Sequence, residues 1–483
     1  MVDVDAFLYE QLAAELGEAI ERGALRPGDR LPSVRRLSEE RRVSVATVLQ
    51  AYMRLENSGL IEVRPKSGHF VRKRTDAIAE PRPPRQCATP ARVSVSDAVT
   101  RVLEALRDPA LVPLGSAYVD PSMLPVAALN RMLAQIAREA STAGARYDAA
   151  PGVQTLRRQL ARRSVDWGVP MSEDDFVTTI GATEGITLAL RAVARAGDVI
   201  AVESPTYFGV LQAIEGLGMR ALEIPAHPRT GIDIDALDEA LRSTPVKAIM
   251  VTPNVSNPLG SIMPDEAREK LIKIAARHDV PVIEDDVYGE LVFDGSRPRP
   301  LRAFDPDGRV LLVGSVSKTL APGYRVGWIA AGRLHDTVLR LKYSQSLANP
   351  TLTQMAVAEF LGSGGYDRHL RRLRSHLAGQ VERFRAAVID AFPDGTRVSA
   401  PRGGFVLWIE MPAGVDALTL QERSRERGVV IAPGPIFSAR NRFGNFIRIS
   451  CGMPWGPRAA DAVKLVGTLA HELAGKRRGQ RAA

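Results

Sequence analysis

Apolar side chains recur at every fourth position near the N-terminus, at Leu8, Leu12, Leu16 and Ile20. This spacing predicts an amphipathic helix that runs to about Arg22, and the glycine that follows is a plausible stop. The same part of the chain then shows two shorter helical patterns and two short strand-like runs. It is therefore a compact helical module that carries a hairpin.

Each of the two shorter helices is preceded by a serine suited to cap its first turn. Ser33 precedes a helix to about Glu40, and Ser44 precedes a helix to about Ser58. The short turn between them makes a helix-turn-helix, whose second helix fits the major groove of DNA. The strand-like runs joined by the turn PKSG predict a wing. The basic residues available to meet phosphates are Arg35, Arg36, Arg41, Arg42, Arg54, Arg64, Lys66, Arg72 and Lys73.

The character of the chain changes at residues 74–93, which are rich in proline and arginine and have no apolar period. This composition predicts a semi-rigid linker, with a surface loop inside one domain as the alternative. Beyond it, strand-like apolar runs alternate with long helical patterns, which predicts an α/β domain on a largely parallel sheet. We expect domains at residues 1–73 and 94–483.

Composition narrows the class of protein. A chain of 483 residues with 45% apolar and 25% charged residues is typical of a folded protein of about three domains. Its net charge of +9 permits an anionic partner without demonstrating one. Two cysteines are too few for a disulfide framework or a cysteine-based zinc site. Without a signal-like segment or a membrane-spanning apolar run, a cytoplasmic location is the default expectation.

Polar residues follow successive strand-like runs in the second domain. Ala182 and Thr183 lie between such a run and a helix expected over residues 184–196, where free N–H groups would bind an anion. Tyr207 follows the next run and is able to stack on a flat ligand. Asn257 follows a third run and is able to donate to a ligand oxygen. Each motif alone is weak.

The segment GSVSKTLAPGYRVG combines these signals into one chemistry. Lys318 is able to form a Schiff base with a phosphorylated aldehyde, and Ser315, Ser317 and Arg325 are able to hold a dianionic phosphate. Asp285, at a neighbouring strand end, would keep a pyridine nitrogen protonated. The acidic run around Asp285 is an alternative metal site, which we disfavour because no histidine lies in that segment.

Residues 110–475 resemble a fold-type I pyridoxal 5'-phosphate (PLP) aminotransferase, since these motifs occur in that family's chain order. The resemblance implies a large domain with a mostly parallel sheet between helices and a smaller α+β subdomain at about residues 370–475. It implies Lys318 as the Schiff-base lysine, Asp285 at the pyridine nitrogen and Tyr207 stacked on the ring. The other cofactor residues that it implies are Asn257 and Tyr288 at the ring oxygen, and Ala182, Thr183, Ser315, Ser317 and Arg325 around the phosphate.

Two further roles come from the resemblance alone. Tyr147, in the segment RYDAAPG, matches a tyrosine that reaches the phosphate in the partner subunit's site. Arg448, in FIRIS, matches the arginine that binds a substrate or effector carboxylate with its two parallel N–H groups. One departure is Leu259, where threonine is usual, and we expect it to cost a supporting hydroxyl without loss of the cofactor.

The N-terminal module resembles the winged helix-turn-helix of GntR-type regulators over about 65 residues, through the motifs PGD, LPSVR, GLI and SG. Val45 stands where many relatives carry arginine, which predicts one fewer polar contact with DNA. A helical bundle used only for protein contacts is the alternative. The resemblance implies that the DNA-contacting residues are Arg35, Ser44, Thr47, Ser67 and Gly68.

The two resemblances together are those of a MocR-type regulator. They imply a homodimer with swapped DNA-binding modules that binds double-stranded operator DNA and senses an amine, an amino acid or the vitamer through PLP. Residual transaminase activity is compatible with this function. The main alternative is a working PLP-dependent aminotransferase with a vestigial or structural winged module, and a PLP-binding scaffold without DNA is a third. The sequence leaves the effector and the operator open.

Overall fold

The structure of the chain is a computed structural model. Its described part leaves out the first part of the predicted linker and several groups predicted to meet phosphates. These groups are Lys66, Arg72, Lys73 and the side chain of Arg64. The structure describes residues 8–26, 28–57, 60–64, 67–71, 79–87, 89–140, 142–294 and 296–481.

Three helices and a hairpin form the N-terminal module, as predicted. Ser33 caps the second helix by accepting a hydrogen bond from the backbone N–H of Arg36 at 3.3 Å. Ser44 accepts one from the N–H of Thr47 at 3.0 Å at the start of the third. The two strands pair antiparallel. The elements are α1 (Leu8–Glu21), α2 (Val34–Arg41), α3 (Val45–Asn57), β1 (Ile61–Arg64) and β2 (Gly68–Val71).

The chain between the two regions lies along the second one over residues 79–87 and 89–92. Its last part, β3 (Ala91–Arg92), pairs antiparallel with β6 (Arg220–His227). Further upstream, Glu80 forms an ion pair with Arg229 at 2.5 Å. The second half of the predicted linker is thus bound to the α/β region at several points.

A nine-stranded sheet organises the α/β region, in the order β3-β6-β5-β8-β9-β10-β11-β4, with β7 paired to β6. Strands β6, β5, β8, β9 and β10 are parallel. Strand β11 is antiparallel to both neighbours, so β4 runs in the direction of β10. The predicted, largely parallel sheet is confirmed. The remaining strands are β4 (Phe176–Ile180), β5 (Val199–Ser204), β7 (Gly231–Ile232), β8 (Val246–Val251), β9 (Val282–Asp285), β10 (Val310–Ser315) and β11 (Val326–Ala330).

Helices pack on both faces of this sheet because its strands are apolar on both sides. In β5, Ile200 and Val202 belong to one hydrophobic cluster, whereas Val199 and Ala201 belong to another. Helix α7 begins at Gly181, three residues before the predicted start. The helices are α4 (Ser96–Ala105), α5 (Val126–Glu139), α6 (Gln154–Asp166), α7 (Gly181–Val193), α8 (Phe208–Gly216), α9 (Ile234–Ser243), α10 (Asp265–Arg277), α11 (His335–Gln345) and α12 (Thr351–Gly362).

The C-terminal part forms the smaller α+β subdomain that was predicted. Its four strands are antiparallel in the order β12-β13-β15-β14. None of the helices in the described ranges combines the length and the apolar character needed to cross a membrane. The elements are α13 (Gly365–Ala391), β12 (Arg397–Val398), β13 (Val406–Glu410), α14 (Ala417–Glu426), β14 (Ala432–Pro433), β15 (Phe446–Ser450) and α15 (Pro457–Arg481).

Candidate functional site

A cavity of about 170 Å³ lies where the carboxyl ends of β4, β5, β8, β9 and β10 meet at one edge of the sheet. Sequence reasoning did not select Ile186, Thr252, Val287 and Pro322, which also line it and lie close to selected residues in the sequence. The selected residues that the structure brings together here are Ala182, Thr183, Tyr207, Asn257, Asp285, Tyr288, Ser315, Ser317, Lys318 and Arg325.

Lys318 has a shifted pKa in this cavity. Its Nζ donates a hydrogen bond to the carbonyl oxygen of Ala117 at 2.5 Å. Burial lowers the pKa of the amine to about 8, and the positive charges of Arg448 and Arg325 act in the same direction. A much larger fraction of the amine is neutral at pH 7 than in an exposed lysine, and the neutral amine is the nucleophile.

Asp285 provides a buried carboxyl group at the end of β9. Its Oδ1 accepts a hydrogen bond from the N–H of Val287 at 3.2 Å. Burial raises the pKa of Asp285 to about 6, and the neighbouring Asp286 raises it further, whereas Lys318 lowers it. A cationic group placed against this carboxyl would favour its charged form. The position is therefore suited to a protonated ring nitrogen.

The opposite side of the cavity is rich in donors for an anion. The Oγ atoms of Ser315 and Ser317 lie 2.8 Å apart, and Arg325 donates to the carbonyl of Ile180 at 3.1 Å. Gly181, with a φ of +71°, opens α7 at this point. A Cβ atom there would lie 2.4 Å from Nη2 of Arg325, so only glycine leaves room for the guanidinium. The start of the helix, the two hydroxyls and the arginine are donor groups of the kind that suit an anion.

Tyr288 and Asn257 contribute further polar groups to the wall of the cavity. The buried hydroxyl of Tyr288 has no hydrogen bond of normal geometry within the described residues, although Asn257 lies beside it. Burial raises the pKa of Tyr288, so the hydroxyl stays protonated and able to donate. Nη1 of the fully buried Arg448 donates to Oδ1 of Asn257 at 3.2 Å. Tyr288 and Asn257 therefore suit a ligand oxygen.

Tyr147, which was expected to serve a partner subunit's site, does not line this cavity, and it is 83% exposed. Arg448 also lies outside the set of lining residues, but it reaches the cavity through its hydrogen bond to Asn257. The residues expected to bind the cofactor within the chain thus line the cavity, whereas Tyr147 and Arg448, which were expected to complete the site, do not.

The residues selected as DNA contacts lie on the exposed side of the N-terminal module. Arg35 is exposed on α2, and Ser44 and Thr47 share a hydrogen bond of 2.7 Å at the start of α3. Ser67 lies in the turn of the wing, and Gly68, with a φ of +106°, begins β2. The selected residues thus lie at the starts of α2 and α3 and in the wing, on the surface of the module.

Four of the eight arginines of this module whose side chains the structure describes form ion pairs with acids, and Arg35 is not among the four. Arg35 has no ion-pair partner in the part of the chain that the structure describes, so its charge is available for a phosphate. The ion pairs are Arg22 with Glu18 at 2.7 Å, Arg36 with Glu40 at 2.7 Å, Arg41 with Glu15 at 2.9 Å and Arg54 with Glu10 at 2.6 Å.

Comparison with known sequences shows the family. The family described as aminotransferase class I and II matches residues 118–455, and bacterial regulatory proteins of the gntR family match residues 8–71. YjiR, an HTH-type transcriptional regulator of Escherichia coli strain K12, is 41% identical over 95% of this chain and 98% of its own length. The chain belongs to the MocR-type regulators of the GntR family. A more distant relative of this MocR-type regulator is YisV of Bacillus subtilis strain 168, 28% identical over 92% of both chains.

Solved structures similar to this MocR-type regulator are aminotransferases. The multiple substrate aminotransferase of Thermococcus profundus has a TM-score of 0.73 and 26% identity, with 78% of this chain and 95% of that chain covered. LysN, the alpha-aminoadipate aminotransferase of Thermus thermophilus, has a TM-score of 0.71 and 27% identity, with 79% and 100% covered. LysN was solved with N-(5'-phosphopyridoxyl)-L-leucine. The regulator therefore has the predicted fold-type I domain.

A buried ion pair that sequence reasoning missed supports the anion side of the cavity in this MocR-type regulator. Glu184 accepts hydrogen bonds from the N–H of Ile180, from Nζ of Lys342 at 2.7 Å and from Oγ of Ser346. Lys342 is 1% exposed and Glu184 is 7% exposed at the side chain. The pair fixes the strand-to-helix turn, and its two residues are too far apart in sequence to signal it.

A second missed feature is the segment Gly115, Ser116 and Ala117. The carbonyls of Gly115 and Ser116 accept hydrogen bonds from Nη2 of Arg448 at 2.5 and 3.0 Å, and that of Ala117 accepts from Lys318. Backbone carbonyls thus accept hydrogen bonds from Nζ of Lys318 and from Nη2 of Arg448. A ligand that reaches either cation has to replace these contacts.

Proposed function

We propose that this regulator binds double-stranded operator DNA with residues 1–73 and PLP with residues 94–483. In this proposal it works in the cytoplasm as a homodimer with swapped DNA-binding modules. Its effector is an amine, an amino acid or the vitamer. The observation that supports the proposal most is the convergence in one cavity of all ten residues selected as cofactor ligands within the chain.

The polar groups of the cavity fit PLP group by group. Arg325, Ser315 and Ser317 would hold the phosphate at the start of α7. Lys318 would hold the cofactor covalently through its amine, which the lowered pKa makes reactive. Asp285 would face the ring nitrogen, because its buried carboxyl is best stabilised by an adjacent cation.

The unpaired donor of the cavity fits the remaining polar atom of the ring. The Tyr288 hydroxyl would donate to the ring oxygen beside Asn257, which would supply the partner that this buried hydroxyl lacks among the described residues. Tyr207, also in the cavity wall, would stack on the ring. When bound, PLP supplies an electrophilic carbon that reacts with primary amines and a ring that accepts electron density.

Effector sensing would act on the same residues. Arg448 would bind the carboxylate of an amino acid with its planar guanidinium, in place of the carbonyls of Gly115 and Ser116. PLP held by the Lys318 amine would replace the contact of that amine with the Ala117 carbonyl, and an effector amine that displaces Lys318 would free its amine to hold a proton and donate to Ala117 again. Such a change alters DNA binding only if the effector favours one arrangement of the DNA-binding modules over another.

Hydride trapping tests the cofactor part of the proposal. The protein is loaded with PLP, reduced with borohydride and digested, and the labelled peptide is mapped. We expect the label on Lys318, no label in Lys318→Ala, and unchanged labelling in Lys247→Ala, which alters an exposed lysine on β8. A label on another lysine, or none on the wild type, would contradict PLP binding at this site.

A DNA-binding titration tests the regulatory part. Promoter DNA is titrated with and without PLP and a panel of amino acids at several salt concentrations, because phosphate contacts make affinity fall with ionic strength. We expect salt-dependent binding in the wild type that an effector changes, and no effector response in Lys318→Ala. Absence of DNA binding together with rapid keto-acid formation would support a working aminotransferase instead.

A further inference from the structure

The first turns of α3 expose large apolar side chains and no charge. Val45 and Leu49 are 47% and 43% exposed and lie one helical turn apart, whereas Val48 and Tyr52 on the opposite face are buried in the module's core. No residue of α3 before Arg54 carries a charge. Two large aliphatic side chains therefore stand in solvent at the start of this helix.

These two residues occupy the part of the helix-turn-helix that meets bases. The N-terminal residues of the second helix contact base edges, and Ser44 caps α3 directly before Val45. Met53 is also exposed, but it lies eight residues beyond Val45, about 12 Å further along the axis. The apolar groups that can enter a groove are therefore Val45 and Leu49.

The surroundings of this apolar face are positively charged, which favours DNA as its occupant. Arg35 is exposed without an ion-pair partner in the described ranges, and Arg42 is exposed in the turn between α2 and α3. Arg36 adds a largely exposed guanidinium that is shared with Glu40. Cations around an apolar strip complement phosphates around the base edges of a major groove.

One base presents an apolar group in that groove. The C5-methyl of thymine is the apolar contact that the major groove offers, whereas guanine is recognised mainly by bidentate arginine or lysine, which the first nine residues of α3 do not supply. We propose that Val45 and Leu49 read thymine methyl groups in the operator. The inference rests on the proposed function and specifies which class of DNA sequence the winged module binds. Gln50, exposed beside Leu49, suits a neighbouring adenine.

Removal of single methyl groups from DNA tests this inference. The preferred site is first selected from random duplex DNA by repeated binding and sequencing, and each thymine is then replaced by deoxyuridine, which lacks only the C5-methyl. We expect a loss of about fourfold in affinity at each contacted position, from roughly 0.8 kcal/mol per buried methyl. This scan uses the wild-type protein, so it does not depend on the folding of any variant.

The variants assign the contacts. In the double variant Val45→Ala/Leu49→Ala, thymine and uracil sites should bind equally, and in Met53→Ala, an exposed apolar residue of the same helix, the wild-type preference should remain. Retained preference in the double variant would overturn the assignment. Tight, salt-dependent binding of a selected site that is indifferent to uracil would overturn the inference but leave the proposed function intact. Failure to enrich any DNA would overturn both.

Discussion

The two functional regions of this regulator are built in opposite ways. The cavity collects buried polar groups from turns at five strand ends, and it changes their pKa values, as at Lys318 and Asp285. The winged module presents exposed groups from a short stretch of chain, and its ion pairs, such as Arg36–Glu40 and Arg41–Glu15, lie in high dielectric. Covalent chemistry at neutral pH needs the first environment, whereas recognition of a duplex surface needs the second.

An ion pair should consequently contribute differently to the free energy of unfolding in the two regions. The Lys342–Glu184 pair has side chains that are 1% and 7% exposed, whereas the Arg36–Glu40 pair has side chains that are 73% and 45% exposed. Water and salt screen the second pair but hardly reach the first. Breaking each pair in turn therefore tests the contrast directly.

The largest effect is expected from Lys342→Ala. It leaves the Glu184 carboxylate buried without its counterion, so the free energy of unfolding should fall by about 3–5 kcal/mol in denaturant titrations. The double change Lys342→Met/Glu184→Gln should recover most of this loss, because no charge then remains buried. Arg36→Ala should change the free energy of unfolding far less, because solvent screens this exposed pair. Similar losses for Lys342→Ala and Arg36→Ala would abolish the distinction between the regions.

The next effect concerns the phosphate side of the cavity. In Gly181→Ala the new Cβ displaces the Arg325 guanidinium, and we expect affinity for PLP to fall by about 10- to 100-fold, the loss of charge-assisted hydrogen bonds. Affinity for pyridoxal, which lacks the phosphate, should change little. Gly197→Ala is the matched control, since Gly197 also has a positive φ, +89°, but open space around its Cβ position. An equal loss of affinity for PLP and for pyridoxal would contradict a role of Arg325 in binding the phosphate.

The sequence predicted the cavity better than the winged surface for a physical reason. Residues such as Asn257, Asp285 and Lys318 follow apolar runs, and parallel strands bring their carboxyl ends to one edge whatever the loops do. No comparable constraint selects among exposed residues. Arg36 and Arg35 are adjacent in sequence, yet only Arg36 has an acidic partner among the described residues, one turn along α2 at Glu40.

Features made by backbone atoms or by distant side chains could not be predicted. The carbonyls of Gly115 and Ala117 that meet Arg448 and Lys318 carry no sequence signature, because every residue has a carbonyl. The start of α7 was expected three residues late, since Gly181 was assigned to a turn although its positive φ opens the helix. Val45 was noted as a departure, but its exposure beside Leu49 needed the structure.

A smaller effect should be seen in the pH dependence of cofactor loading. The reactive amine of Lys318 has a pKa of about 8, so its neutral fraction rises with pH from roughly one tenth at pH 7 to roughly nine tenths at pH 9. The loading rate in stopped-flow absorbance should rise by about tenfold over this range and then level off. Replacing Arg448 by glutamine removes a repelling cation, so the midpoint should move to higher pH. A rate that still rises tenfold per pH unit above pH 9 would indicate an ordinary lysine.

The smallest effect separates the two adjacent arginines of α2 on DNA. Arg35→Ala removes a cation without an ion-pair partner in the described structure, so affinity should fall several-fold and the slope of log affinity against log salt should decrease by about one. Arg36→Ala should change both quantities less, because Glu40 already offsets that charge at 2.7 Å. In Glu40→Gln, Arg36 is released and binding should strengthen slightly at low salt. If Arg36→Ala instead lowered the slope as much as Arg35→Ala, the Arg36–Glu40 ion pair would have to break when DNA binds. The arginines of the exposed ion pairs would then also contribute positive charge to DNA binding.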